Sequence, residues 1–143
     1  VKKIYTVGYE GKTFEEFIGI LKDKGIRHLV DVRSSPHSSR SEFSGDNLKS
    51  NLFKKGIVYK HLEALGGLDV EDYREKMKTL EWKEAFYKLE DFSIDVPTVM
   101  MCLEKDPSRC HRRFISERLE EKGWEVIHLG KGGSWKGSTL DDY

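Results

Sequence analysis

Short apolar runs alternate with amphipathic segments along almost the whole chain, and this alternation constrains the fold more than any single motif. Ile4-Tyr5-Thr6-Val7 reads as a buried strand ending at Gly8. Thr13 and Glu16 have the spacing of a capping box, and Phe14, Phe17, Ile18 and Leu21 then recur at helical spacing until Gly25. Leu29-Val30-Asp31-Val32 is a second strand. A Ser-rich loop from Arg33 to Gly45, punctuated by Pro36, leads to a short helix carrying Leu48, Leu52 and Phe53 that stops near Gly56. Ile57-Val58-Tyr59 begins a third strand leading to His61, and Gly66-Gly67 marks a loop. Asp72 to Asp91 carries Tyr73, Met77, Leu80, Phe86 and Leu89 at roughly helical spacing, as one broken helix or two short ones. Val96 to Leu103 is the most apolar run and predicts a central strand. A helix opening at Pro107-Ser108 runs to Lys122 and closes at Gly123, and Glu125 to Leu129 is the last strand.

Regular strand–helix alternation implies helical crossovers and a parallel sheet covered on both faces. The expected fold class is therefore α/β: a three-layer α-β-α domain with a mostly parallel five-stranded sheet, Rossmann-like or flavodoxin-like in architecture. The expected organisation is a single domain over residues 1–130 and a flexible Gly- and Ser-containing tail over 131–143. With 143 residues, 37% of them hydrophobic and 11% aromatic, the chain has enough material for one core, which excludes a disordered chain. Lys plus Arg (25) equals Asp plus Glu (25), which argues against a generally basic nucleic-acid binder but leaves room for a local basic patch. No run approaches the length of a membrane span. The apolar stretch after Lys2-Lys3 is broken by Gly8 and Glu10, unlike a signal peptide, so the cytoplasm is the expected compartment. The absence of Gln, with Asn only at positions 47 and 51, points to a thermophilic source.

In parallel sheets ligands bind beyond the carboxyl ends of the strands, so the loops there are the place to look for chemistry. The first carries Gly8 and Tyr9, the second Asp31, Arg33, His37 and Arg40, the third His61, Gly66 and Gly67, and the fourth Cys102, Glu104, Arg109, Cys110, His111 and Arg112. This gathering of Arg and His suggests an anionic ligand held by Arg33, Arg109 and Arg112. Helical spacing places His111 in the first turn of its helix, facing the sheet end. The positive helix end there favours a neutral His111 and a Cys110 thiolate.

Three chemistries compete at that segment. Cys110 can be a nucleophile with His111 as base. Cys102, Cys110 and His111 can hold a metal, although seven residues between the cysteines is not a zinc-knuckle spacing. The two cysteines can also form a reversible disulfide. Cys102 alone reads as an ordinary buried strand residue. Asp31 is either the ion-pair partner of Arg33 or a general base, and His61 and His111 are the proton-transfer candidates. His28 and His128 lie outside the cluster and read as structural, and the aromatic residues from Tyr73 to Phe92 read as packing or a dimer face. No P-loop or dinucleotide fingerprint is present, because Gly8-Tyr-Glu-Gly11 is too short a match.

Several motifs in this order resemble the uncharacterised family called domain of unknown function 488. They are Tyr5-Thr-Val-Gly-Tyr9, Asp31-Val-Arg-Ser-Ser-Pro36, Tyr59-Lys-His-Leu62 with Leu65-Gly-Gly67, and Cys102-Leu-Glu104 followed by Cys110-His-Arg112. The likeness runs from about Ile4 to Leu129, and it departs from the family pattern at Leu68, where a basic residue often follows the double glycine. The resemblance implies a compact α/β domain and draws attention to Gly8, Asp31, Arg33, Pro36, His61, Gly66, Cys102, Glu104, Cys110, His111 and Arg112. It implies no reaction.

The leading expectation is an intracellular enzyme acting on a nucleotide, a phosphorylated metabolite or nucleic acid. The alternatives are a non-catalytic nucleotide or nucleic-acid binding module, and a metal- or thiol-based sensor. No cofactor is assigned and a homodimer is left open.

Overall fold

The computed structural model describes residues 2–67, 72–106, 110–130 and 133–136. β1 is Lys3–Gly8, and α1 follows at Phe14–Asp23. The capping box forms as the spacing predicts: Thr13 Oγ1 accepts from the Glu16 amide at 3.0 Å, and Glu16 Oε1 accepts from the Thr13 amide at 2.8 Å. β2 is His28–Asp31, α2 is Gly45–Lys54 and β3 is Val58–His61. α2 buries Leu48 and Leu52, but Phe53 falls on the outer side. The long charged segment is two helices, α3 at Tyr73–Lys76 and α4 at Leu80–Ser93, with Thr79 capping the second through the Trp82 amide. β4 is Thr98–Cys102, α5 is Arg112–Glu121 and β5 is Glu125–Gly130.

Among the described residues the sheet has six strands rather than five. Gly133–Lys136 forms β6, which pairs antiparallel with β5 through Ile127↔Lys136 and His128↔Trp135. Sequence reading assigns these residues to a loose tail. Their lack of an apolar run hides a strand that forms by backbone pairing at an edge, whereas 131–132 and 137–143 lie outside the described residues.

The strand order is β3-β2-β4-β1-β5-β6, with all but the last parallel. The layers match the expected α/β architecture, but β4 stands between β2 and β1, unlike the strand orders of Rossmann and flavodoxin sheets. Successive strand residues point to opposite faces and so feed two cores. Leu29, Val99 and Met101 pack with Phe17, Leu21, Leu48 and Leu52 of α1 and α2. Val30, Met100 and Cys102 pack with Trp82, Phe86 and Leu89 of α4 and Ile115 and Leu119 of α5. β4 is buried along its whole length, which is why it reads as an unbroken apolar run.

Tyr73, Trp82 and Phe86 pack into the core, while Tyr87 is exposed. Trp82 stacks on Phe86, its Nε1 donates to the Tyr73 hydroxyl at 2.7 Å, and that hydroxyl donates to the Leu65 carbonyl. Among the described residues no helix is long and apolar enough to cross a membrane.

Candidate functional site

β1 and β2 are followed by helices on one face, and β3 and β4 by helices on the other. The loops leaving the strand ends therefore part around β4, and a cleft of about 370 Å³ opens there. Its walls come from four loops: Tyr9 after β1, Arg33, Ser34, Ser35 and His37 after β2, Gly67 after β3, and Leu103, Glu104, Cys110 and His111 after β4, with Cys102 at the β4 end.

The segment after β4 is held against β1. Gly8 pairs with Cys102, and the amides of Tyr9 and Glu10 donate to the carbonyls of Cys102 and Leu103. A Cβ at Gly8 would stand 1.7 Å from the Glu104 carbonyl oxygen, so only glycine allows this approach. Arg112 closes the loop from the other side. Its Nη1 donates to Thr6 Oγ1 at 2.8 Å, and its Nη2 donates to the carbonyls of Glu104 and Lys105 at 2.8 and 3.2 Å.

This corrects two expectations. α5 begins at Arg112, so Cys110 and His111 precede its first turn rather than lying in it, with His111 at the cap position. The backbone from Glu104 to Lys105 wraps the Arg112 side chain, and the helix starts only where that side chain is anchored. Arg112 is 0% exposed, so it staples the loop and does not face an anion.

This clamping brings two thiols together. Cys110 Sγ lies 2.7 Å from Cys102 Sγ, 3.5 Å from the Arg112 amide and 3.8 Å from His111 Nδ1. Cys102 Sγ in turn donates to the Glu104 carbonyl at 3.7 Å. Both cysteines are free and buried. The thiolate expected at Cys110 is overturned: burial pushes its thiol well above the ordinary range, and Cys102 adds to this by hydrogen bond and by its field. The Arg112 charge and amide pull the other way without overcoming burial.

His111 Nε2 lies 2.7 Å from the Val32 carbonyl, which can only accept, so Nε2 carries the proton and Nδ1 presents its lone pair toward Cys110. Burial lowers the His111 pKa, aided by the charges of Lys76 and Arg112 and opposed by the Val32 bond and Glu104. The ring is therefore neutral, through burial more than through a helix dipole. Gly67 leaves it room, since a Cβ there would come within 3.1 Å of the imidazole. The Glu104 carboxylate and the two sulfurs can present ligand atoms all within 4.8 Å of one another.

A second polar centre lies at the end of β2. Arg33 donates through Nε to Asp31 Oδ1 at 2.9 Å, through Nη2 to Oδ2 at 2.7 Å, and through Nη1 to the Tyr9 hydroxyl at 3.3 Å. The Arg33 amide and the Tyr59 hydroxyl add bonds to the same carboxylate. His61 Nε2 donates to the Arg33 carbonyl at 2.7 Å. Burial works against the Arg33 charge, yet the hydrogen bonds and fields of Asp31 and Tyr9 outweigh it and hold its pKa above the ordinary value. Tyr59 is pushed up by burial and then by the neighbouring Asp31 charge. Asp31 thus fills the pairing role, and each of the three Arg33 side-chain nitrogens already donates one hydrogen bond within this centre.

The remaining candidates divide. His37 is exposed on the cleft wall. Arg40 reaches the Tyr9 carbonyl, the Glu42 carboxylate and the face of Phe43, away from the thiols. Gly66 lets the chain pass Ser34, where a Cβ would meet backbone at 2.4 Å, and its carbonyl accepts from Lys76. Arg109 lies outside the described residues. Sequence reading missed Ser34 and Ser35 as cleft residues and Tyr59 as a partner of Asp31. Tyr59 sits two residues before His61 on β3, a period-2 signal that marks a shared face but not its contacts.

No curated protein and no solved structure matches this chain. A family model described as Domain of unknown function DUF488 matches residues 13–119, a narrower span than the likeness seen in the motifs, which also takes in Tyr5 to Tyr9. That match covers well over half of the sequence and includes the β2 loop, the double glycine and the whole Cys102–Arg112 segment, so the chain belongs to the DUF488 family.

Proposed function

We propose that the cleft is the working site of a thiol enzyme whose reactive groups are Cys102 and Cys110, exchanging electrons with a disulfide-bearing substrate. The observation that carries this reading is the 2.7 Å separation of the two sulfurs at the floor of an open cleft. A disulfide bond is about 2.05 Å long, so closure asks for a movement of well under one ångström.

Cys110 is the less buried of the two, 6% exposed against 1%, and so meets the substrate first. Its sulfur attacks one sulfur of the substrate disulfide, giving a mixed disulfide and releasing the first substrate thiol. Cys102 then attacks Cys110 Sγ, which closes the internal disulfide and releases the second thiol. Two electrons leave the protein, and the two thiol protons pass to the two departing thiolates. His111 Nδ1, 3.8 Å from Cys110 Sγ, is the nearest ring nitrogen to receive the first of those protons.

The test uses fully reduced protein equilibrated with oxidised glutathione. The expected product is an internal disulfide, read as the loss of two hydrogens in the intact mass, with a trapped glutathione adduct in Cys102→Ser. Two free thiols after equilibration sink the reading. This chemistry suits a reducing compartment, in keeping with the expected cytoplasmic location.

The anionic ligand expected from the sequence is a second reading, carried by Ser34, Ser35 and the exposed His37 on the same wall. Arg112 is buried away from it, and Arg33 lines the cleft with its charge already paired to Asp31. Calorimetric titration with inorganic phosphate and a mononucleotide tests it, and the absence of heat with both removes it.

A further inference from the structure

We infer that the reduced cysteine pair, together with Glu104, forms a site for a thiolate-binding divalent cation of the zinc class, with its fourth position open to the cleft. The inference deepens the thiol reading and rests on it, because the ion is held only while both sulfurs are reduced.

The first ground is convergence. Cys102 Sγ, Cys110 Sγ and a Glu104 carboxylate oxygen lie within 4.8 Å of one another. Tetrahedral zinc with two sulfurs at about 2.3 Å and an oxygen near 2.1 Å sets its ligand atoms roughly 3.5–3.8 Å apart. The sulfurs would separate by about 1 Å to admit the ion. The seven residues between the cysteines exclude a knuckle, but the fold does not need one: the Cys102–Glu104 and Cys110 segments are clamped together by the Arg112 side chain.

Charge is the second ground. Arg112 is fully buried, and among the described residues its side chain meets a hydroxyl and two carbonyls and no carboxylate. A buried guanidinium needs a counter-charge. Two thiolates, one carboxylate and a divalent cation sum to a single negative charge beside it. The Arg112 amide already points at Cys110 Sγ, 3.5 Å away, as an N–H donor to a metal-bound thiolate would.

The fourth position follows from the cleft. His111 lies beside the set, with Nδ1 3.8 Å from Cys110 Sγ and its tautomer fixed by the Val32 carbonyl. Three protein ligands with a vacant corner facing open space is the pattern of catalytic rather than structural zinc. A water or an incoming ligand group would take that corner, next to the His111 lone pair. Oxidation by a small disulfide, RSSR, converts the two bound thiolates to the internal disulfide and two RS⁻, and releases the divalent ion unchanged in oxidation state.

The experiment uses the full chain, reduced with a phosphine and freed of metal, then titrated with Zn²⁺ alone and, in parallel, with Co²⁺. The expected result is one ion per chain and a cobalt spectrum with sulfur-to-metal charge transfer and tetrahedral d–d bands. Cys102→Ser and Cys110→Ser should each cut the charge-transfer intensity to about half or less, in proportion to the sulfur lost. Glu104→Gln should weaken Zn²⁺ binding by at least about tenfold while keeping both thiols titratable. Oxidised glutathione should expel the ion. Reduced protein with two titratable thiols that binds Zn²⁺ no better than Cys102→Ser overturns the metal inference and leaves the exchange reading standing. Failure of the pair to close with glutathione, with Zn²⁺ still bound at one per chain, overturns the exchange reading alone.

Discussion

Two buried guanidiniums sit at the ends of neighbouring parts of the same sheet, and their surroundings are opposites. Arg33, on the α1–α2 side, faces a carboxylate that accepts from its side chain twice, from its amide and from Tyr59. The two charges are paired there. Arg112, on the α4–α5 side, meets only a hydroxyl and two carbonyls, and its Nε has no partner among the described residues. Its field reaches the Cys110 thiol, which belongs with Cys102 and Glu104 to one cluster of groups able to carry negative charge. Both arginines were expected to hold a ligand from outside. The geometry makes Arg33 part of a closed structural centre and leaves the Arg112 side with a capacity for negative charge that the resting thiols do not supply. The difference between a satisfied and an unsatisfied buried charge separates scaffold from site.

The largest effect should come from breaking the matched side. Asp31→Ala leaves Arg33 buried without its carboxylate, at a cost of about 3–5 kcal/mol in urea unfolding. A loss under about 1 kcal/mol would mean that the pair is not a structural centre. Arg112→Met, of similar length, removes three hydrogen bonds but also a charge with no carboxylate partner. We expect a smaller loss of about 2–3 kcal/mol, together with loss of Zn²⁺ binding. If Arg112→Met proves as costly as Asp31→Ala, the contrast between the two centres is wrong.

Gly8→Ala tests the clamp between β1 and the β4 loop, because the new methyl runs into the Glu104 carbonyl. A cost of about 1–3 kcal/mol is expected, with slower closure of the internal disulfide because the loop that carries Glu104 must shift. Unchanged closure kinetics would detach Gly8 from the site. Thr13→Ala is the remote control. It should lower stability by about 1 kcal/mol through loss of the α1 cap, and leave thiol exchange and metal binding as they are.

The strands and helices were legible because each carries a local pattern. The capping box at Thr13 and Glu16 and the apolar run of β4 are properties of adjacent residues. β6 was not legible, because its pairing comes from β5 and not from its own side chains. The start of α5 was missed for a related reason: the Arg112 side chain reaches Thr6, more than a hundred positions away in the chain, and that anchor decides where the helix can begin. The site residues lay where parallel-sheet topology directs attention, but their states were misread. Cys110 looked like a helix-end thiolate because spacing reports direction along a helix and says nothing of depth, and burial beside a second sulfur reverses the effect.

By itself, the sequence determined the α/β class, most element boundaries, the family and the set of polar residues gathered at the strand ends. These follow from periodicity and from short-range hydrogen bonding, which act between near neighbours in the chain. Only the tertiary structure decided that Asp31 neutralises Arg33, that Arg112 is a staple, and that Cys102, Glu104 and Cys110 converge. Those outcomes depend on burial and on contacts between distant segments, where a low dielectric and a single clamped loop give each charge and each thiol its environment.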